Sequence, residues 1–408
     1  MERREKRQVR RSALGQTAFR RYFPASWFSS LGAWMLRFLL GWSAWDLTAS
    51  ATWVGITAAL MLGPALVLSP WFGILSDRVN PRHGLVISMM VHALIALGGA
   101  LALGLDSFGL PVLGALALAL GVATSGHSPM RLALIPLLVE RGALPSAVGL
   151  SATTFNVARI LGPALGAALI STTGPAATFA LSGVMFICAA VILGRLDGVG
   201  VREPRPREPF LMQFRAGLGY VRRERSIQLI FAFTVLNGLL GRTLVELLPA
   251  FAGGFLGGGS SELATLTASA GVGSIAGGLI LSRQRADTAH LLTLVALAVG
   301  IAALLMLCLS FGNTLYRLSF FIVMLSLVTT IAGTGCQTMT QLCLLEDYRG
   351  RVLSLWTLLA MGAPAVGSAL LGALTDVLGY TPVFAVVGGV GVGLVLLLYT
   401  RRSWLSDG

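Results

Sequence analysis

The sequence predicts an all-α membrane protein of twelve transmembrane helices arranged as two six-helix pseudo-repeats. Three observations predict it. The 408 residues are 55% hydrophobic and 12% charged, where soluble domains carry about 25% charged residues. Apolar runs of about twenty residues, long enough to cross a bilayer, recur along the whole chain. Basic residues gather between alternate runs, the pattern expected when successive loops face opposite sides of a membrane. This composition excludes a soluble enzyme and makes the lipid bilayer the first partner.

Spans 1 to 4 are expected near 22–46, 51–72, 84–104 and 109–128. The first is longer than a signal-peptide core and lacks a convincing cleavage site, so it reads as a retained span. Spans 5 and 6 are expected near 146–171 and 175–194. Residues 195–225 form the one long connection, Pro-rich and basic through Arg202-Glu-Pro-Arg-Pro-Arg-Glu-Pro209. Its second part puts Phe210, Phe214, Leu218 and Val221 on one helical face. That suits either a helix lying on an anionic membrane surface or a disordered linker. Spans 7 to 12 are expected near 226–252, 262–282, 288–310, 315–340, 352–374 and 380–400. The domains are thus a basic tail (1–21), an N-terminal half (22–194), a linker (195–225), a C-terminal half (226–400) and a short tail (401–408).

Of the 30 Lys and Arg residues, 26 fall in the tails and the loops that share one side of a twelve-span chain. The positive-inside rule makes that side, and both termini, cytoplasmic. The net charge of +13 is therefore topological, and no nucleic-acid partner is expected. The four cysteines lie in apolar stretches, with no C-x-x-C and no histidine at ligand spacing, so neither a disulfide nor a metal site is expected. No Walker motif is present and Lys6 is the only lysine, so no cofactor is expected and ATP is not the energy source of this chain.

The two halves repeat. Gly162-Pro163-Ala-Leu-Gly166 in span 5 aligns with Ala363-Pro364-Ala-Val-Gly367 in span 11 at an offset of 201 residues. Gly73-Ile-Leu-Ser-Asp77-Arg78 aligns with Gly278-Leu-Ile-Leu-Ser282-Arg283 at an offset of 205, which also carries Arg37 onto Arg242. Parallel repeats enclosing a midplane cavity are a secondary-transporter architecture.

Gly73-x-x-x-Asp77-Arg78-x-x-x-Arg82 resembles the cytoplasmic loop motif of the major facilitator superfamily, which latches the inner side of the bundle. Asn80 and Pro81 depart from the usual pattern, and Ser282 replaces the aspartate in the second half, so the latch is expected to be asymmetric. Span 5 is similar to the glycine/proline motif of the antiporter branches through Gly149, Gly162, Pro163 and Gly166, with Ala158 and Ala167 where glycine is usual. Pro129-Met-Arg131-Leu-Ala-Leu-Ile-Pro136, Phe155-Asn156-Val-Ala-Arg159, Gly241-Arg242 with Glu246-Leu-Leu-Pro249, and Arg349-Gly-Arg351-Val-Leu-Ser354 resemble the bacterial exporter group containing the enterobactin exporter and macrolide-efflux proteins. The resemblance implies the major facilitator fold, a cytoplasmic (inner) membrane location and proton-driven export of a siderophore, antibiotic or similar amphipathic metabolite.

Charge at membrane depth faces a cavity or a partner. Arg37 and Arg242 would attract an anionic or carbonyl-rich solute, or be neutralised by neighbouring groups. Trp34, Asn156, Arg159, Asn237, Gln337 and Gln341 complete the candidate substrate-binding set, each with a packing role as its alternative. Glu246, one turn from Arg242, is either a proton carrier or that arginine's structural partner. His127 and Asp46 are the other proton-coupling candidates. Asp46, Asp106 and Asp376 fall near outer helix ends, where solvation is expected. Gly73, Asp77, Arg78 and Arg82, with Gly162, Pro163 and Gly166, are the candidate conformational gate. The expected partners are a small-molecule substrate and protons. The rivals to export are a lipid or lysolipid flippase and a non-transporting scaffold or sensor.

Overall fold

A computed structural model describes residues 12–196, 210–284, 287–310, 314–344 and 349–401. Residues 197–209 of the linker and both chain ends therefore lie outside the described residues, which contain helices and no strand. The helices are α1 (Thr17–Thr48), α2 (Ala51–Arg78), α3 (Pro81–Gly104) and α4 (Leu110–Leu134). The next helical stretch, Leu144–Gly194, breaks at Gly174, whose φ of +84° is open to glycine and strained for other residues. It is thus two spans, α5 (144–173) and α6 (175–194).

Helix α7 (Phe210–Arg223), the amphipathic part of the linker, is helical. Arg215, Arg222 and Arg223 on it are exposed, while Gly217 packs against Arg351 and Leu355. Helix α8 (225–255) carries two π turns, Gly238–Arg242 and Phe251–Phe255. Helices α9 (Ser260–Ser282), α10 (Thr288–Leu309), α11 (Leu315–Cys343), α12 (Arg349–Leu378) and α13 (Tyr380–Tyr399) complete the chain.

Among the described residues ten helical segments are long and apolar enough to cross a membrane. One of them is the pair α5–α6, and α1, 32 residues long, completes the twelve. Helix α1 starts ahead of position 22 because Phe19 and Tyr22 are both buried.

The chain clusters into two compact units, Met1–Ser43 with Val67–Pro206, and Ala44–Leu66 with Arg207–Gly408. Within the first unit, α5 packs on α1 through the glycines of the glycine/proline motif. A Cβ at Gly162 would lie 2.7 Å from Trp34 Cβ, and one at Gly166 would lie 3.0 Å from the Phe38 ring. Helix α3 meets α6 the same way, with Gly99 against Phe179 and Gly183 against Leu97. Ser182 Oγ donates to the Gly32 carbonyl at 3.0 Å, joining α6 to α1. Arg82 donates through Nε to the Leu193 carbonyl at 3.1 Å and through a terminal nitrogen to the Gly194 carbonyl. It thereby satisfies carbonyls at the C-terminus of α6, where a cation is favoured.

In the second unit the repeat reappears as contacts. Gly367 lies against Thr243, the positions to which the two offsets carry Gly166 and Phe38, and Ala363, the counterpart of Gly162, meets Gly238, one residue before the counterpart of Trp34. At this contact the glycine sits on span 7 and not on span 11, the repeat counterpart of span 5. Gly273 and Gly277 let α9 approach the α11 backbone at Val323 and Leu327.

The N-terminal part of α2 also belongs to this unit. Gly55 lies against the Ser368 backbone and Gly372 against Ala51. The Asp376 carboxylate accepts hydrogen bonds from Ser50 Oγ (2.5 Å), Ala51 N (2.8 Å), Thr52 N (2.9 Å) and Thr52 Oγ1 (2.6 Å). Asp376 is exposed, as expected near a helix end, and it also caps α2 from another helix, with its negative charge facing the positive end of that helix.

Candidate functional site

The first unit gathers cations and rings from three helices. Trp34 and Arg37, three residues apart on α1, share a face, as do Phe155 and Arg159, four apart on α5. The close approach at Gly162 brings those faces together. The Trp34 and Phe155 rings meet edge to face with centroids 5.4 Å apart. The guanidinium carbons of Arg37 and Arg159 each lie 6.0 Å from the Trp34 ring. Arg131, from α4, lies 5.6 Å from the Phe155 ring. Trp34, Arg37, Arg131 and Arg159 are all half-buried. Ring faces attract cations, and guanidinium groups bind carboxylate or carbonyl oxygens in a planar fork, so this arrangement can hold a planar, electron-rich solute.

Sequence reasoning named Trp34, Arg37 and Arg159 here and missed Arg131 and Phe155. Pro129 reads as the end of span 4 and so puts Arg131 in a loop. The helix instead runs through Pro129 to Leu134. The available signal was the four-residue spacing of Phe155 and Arg159. Asn156 is half-buried on the same helix.

A second polar cluster in this unit contains His127. Its Nδ1 is 3.2 Å from Ser88 Oγ, and its ring centroid is 5.4 Å from that of His92. His92, absent from the sequence-based set, is buried on α3.

The remaining candidates belong to the second unit. Asn237 is buried, donates through Nδ2 to the Thr329 carbonyl at 3.3 Å, and among the described residues has no partner for Oδ1. Arg242 closes the first π turn of α8 and is exposed, while Glu246 is half-buried at the end of the α turn that follows. Gln337 and Gln341 are half-buried on α11, and Asp46 is exposed near the end of α1. Gly73, Asp77 and Arg78 fall in the last turns of α2, and their side chains lie outside the described residues. An apolar groove of about 390 Å³, with Phe231, Leu236, Leu359 and Leu398 in its wall, also lies in this unit. It offers no polar side chain to a charged solute.

The comparisons with known proteins agree with this architecture. The staphyloferrin A transporter of Staphylococcus aureus is 22% identical over 381 residues, covering 93% of this chain and 94% of that protein. The enterobactin exporter EntS of Salmonella paratyphi A is 27% identical over 399 residues, covering 93% and 92%. Among solved structures, a POT family transporter in complex with 5-aminolevulinic acid matches with a TM-score of 0.77 at 12% identity, covering 96% of this chain and 98% of that one. A bacterial homologue of the human lysosomal transporter Spinster matches with a TM-score of 0.70 at 14% identity, covering 95% and 96%. These structures show the fold, that of major facilitator transporters. The protein is accordingly a multi-pass membrane transporter and not an enzyme. The family model described as a transmembrane secretion effector matches residues 10–403, and the chain therefore belongs to the transmembrane secretion effector family of the major facilitator superfamily.

Proposed function

We propose that this transporter is a secondary active exporter of a small amphipathic molecule, a siderophore or a chemically similar metabolite, driven by proton antiport and working by alternating access. The cluster of Arg37, Arg131 and Arg159 around Trp34 and Phe155 carries the reading. It offers aromatic faces for stacking and guanidinium groups for oxygen-rich substituents, the two halves of an amphipathic solute. The named relatives handle staphyloferrin A and enterobactin, both siderophores. The location is the cytoplasmic (inner) membrane with both termini cytoplasmic, a reading supported by the charge distribution.

Everted membrane vesicles containing the protein test this. They are expected to accumulate enterobactin or staphyloferrin A when the interior is acidified, and to release protons in exchange. Accumulation that ignores the pH gradient would remove the antiport, and no movement of either probe would remove the siderophore assignment. A flippase is the second reading, favoured by the apolar groove on the second unit. Scrambling of a fluorescent lysophospholipid in the same vesicles would favour it.

A further inference from the structure

We propose that His92 and His127 form a single-proton site in the first unit, and that the proton exchanged for solute is held there. The proposal rests on the transport reading above and names the place of its coupling ion. His92 Nδ1 lies 2.7 Å from the Ser88 carbonyl. A carbonyl oxygen only accepts, so Nδ1 carries the hydrogen and the basic lone pair of the neutral ring is on Nε2. That nitrogen faces the Thr124 hydroxyl at 3.4 Å, and an added proton enters there.

His127 meets the same network through Ser88 Oγ at 3.2 Å. Ser88 thus touches both rings, one through its carbonyl and the other through its hydroxyl. A hydroxyl donates to a bare ring nitrogen or accepts from a protonated one by rotating. The network therefore remains hydrogen-bonded in either charge state, which a packing-only histidine does not need.

The 5.4 Å between ring centroids puts two imidazolium charges in mutual repulsion, so the pair takes up one proton and titrates as a unit. The groups facing it come from several helices. Phe186 of α6 presents an apolar ring 4.8 Å from His92. Arg131, one turn beyond His127 on α4, acts on that histidine electrostatically, and Tyr22 of α1 is within range of the same guanidinium. Arg131 also packs on Phe155 in the arginine–aromatic cluster. One cation therefore borders both the solute site and the proton site, and occupancy of either changes the affinity of the other by linkage.

The chain has four histidines, and His83 and His290 are exposed. A His83→Gln, His290→Gln protein in lipid nanodiscs keeps only the pair, so every imidazole signal in its ¹⁵N spectrum belongs to it. Acidification from about pH 8 to about pH 4 is expected to protonate one ring equivalent, with both rings responding together and His92 starting as the Nδ1–H tautomer. Two rings that stay neutral throughout, or that titrate independently, would overturn the proposal. In vesicles, His92→Gln and His127→Gln are each expected to lose proton-driven accumulation of enterobactin or staphyloferrin A by about tenfold or more, while downhill exchange of the same probe persists. Unchanged coupling in both variants, with coupling abolished by Glu246→Gln instead, would also overturn it. Should the unaltered protein move neither probe, the substrate reading falls, and the spectrum still decides the pair.

Discussion

Trp34 is the residue on which two helices spend their charge, since Arg37 reaches it from its own helix and Arg159 from α5. Removing the ring should leave both cations without their apolar, electron-rich neighbour. Trp34→Ala is expected to raise KM for the proposed siderophore substrate by about tenfold, the scale of one or two partly desolvated cation–π contacts. Trp34→Phe should recover most of that. Initial rates in vesicles at varied solute concentration decide it, and an unchanged KM in the alanine variant would remove Trp34 from the solute site. Asp376 is a second residue with a defined task, holding the first turn of α2 through four hydrogen bonds. Asp376→Ala should cost about 1–2 kcal/mol, the range for losing a helix cap. It should also make a cysteine placed at Thr52 more reactive toward a water-soluble maleimide. Thermal unfolding in detergent and the labelling rate check the two effects separately.

Helices α1 and α5 touch through glycine, and that contact sets the spacing of the whole arginine–aromatic cluster. Leucine at Gly162 and Gly166 would push into Trp34 and Phe38, whose atoms already lie within 3.0 Å of the added Cβ positions. The double variant is expected to insert and to lose transport by at least about tenfold, because overpacking separates the helices or favours one packing state. Membrane fractionation and vesicle transport test both parts. The same contact shows what sequence could and could not reveal. Hydropathy, basic loops and the two proline-centred repeats are properties read along the chain, and they gave the spans and the duplication. The partners of Arg131 depend on where α4 ends and which side it turns to α5. A proline at position 129 concealed the first, and no periodicity in a uniformly apolar helix reveals the second. His92 was hidden for the same reason, since its identity as part of a pair exists only once α3 and α4 are packed.

At the scale of the whole molecule, orientation is the first prediction. Single cysteines placed between 195 and 225 in a cysteine-free background should react with a membrane-impermeant maleimide in everted vesicles and stay unlabelled in intact cells. The opposite pattern would invert the topology read from the arginines. A consequence of the two-unit division concerns covalent continuity. The chain leaves the first unit after Ser43, runs through the second unit as residues 44–66, and returns at Val67. The second unit is therefore built around a segment bonded at both ends to the first, buttressed at Gly55, Gly372 and Asp376. Cutting the long connection is therefore expected to leave the protein in one piece. Expressed as two separate polypeptides cut within 197–206, the halves should still co-purify on a tag carried by either one. Proline substitutions at Gly55 and Thr57, inside the threaded segment, should release them.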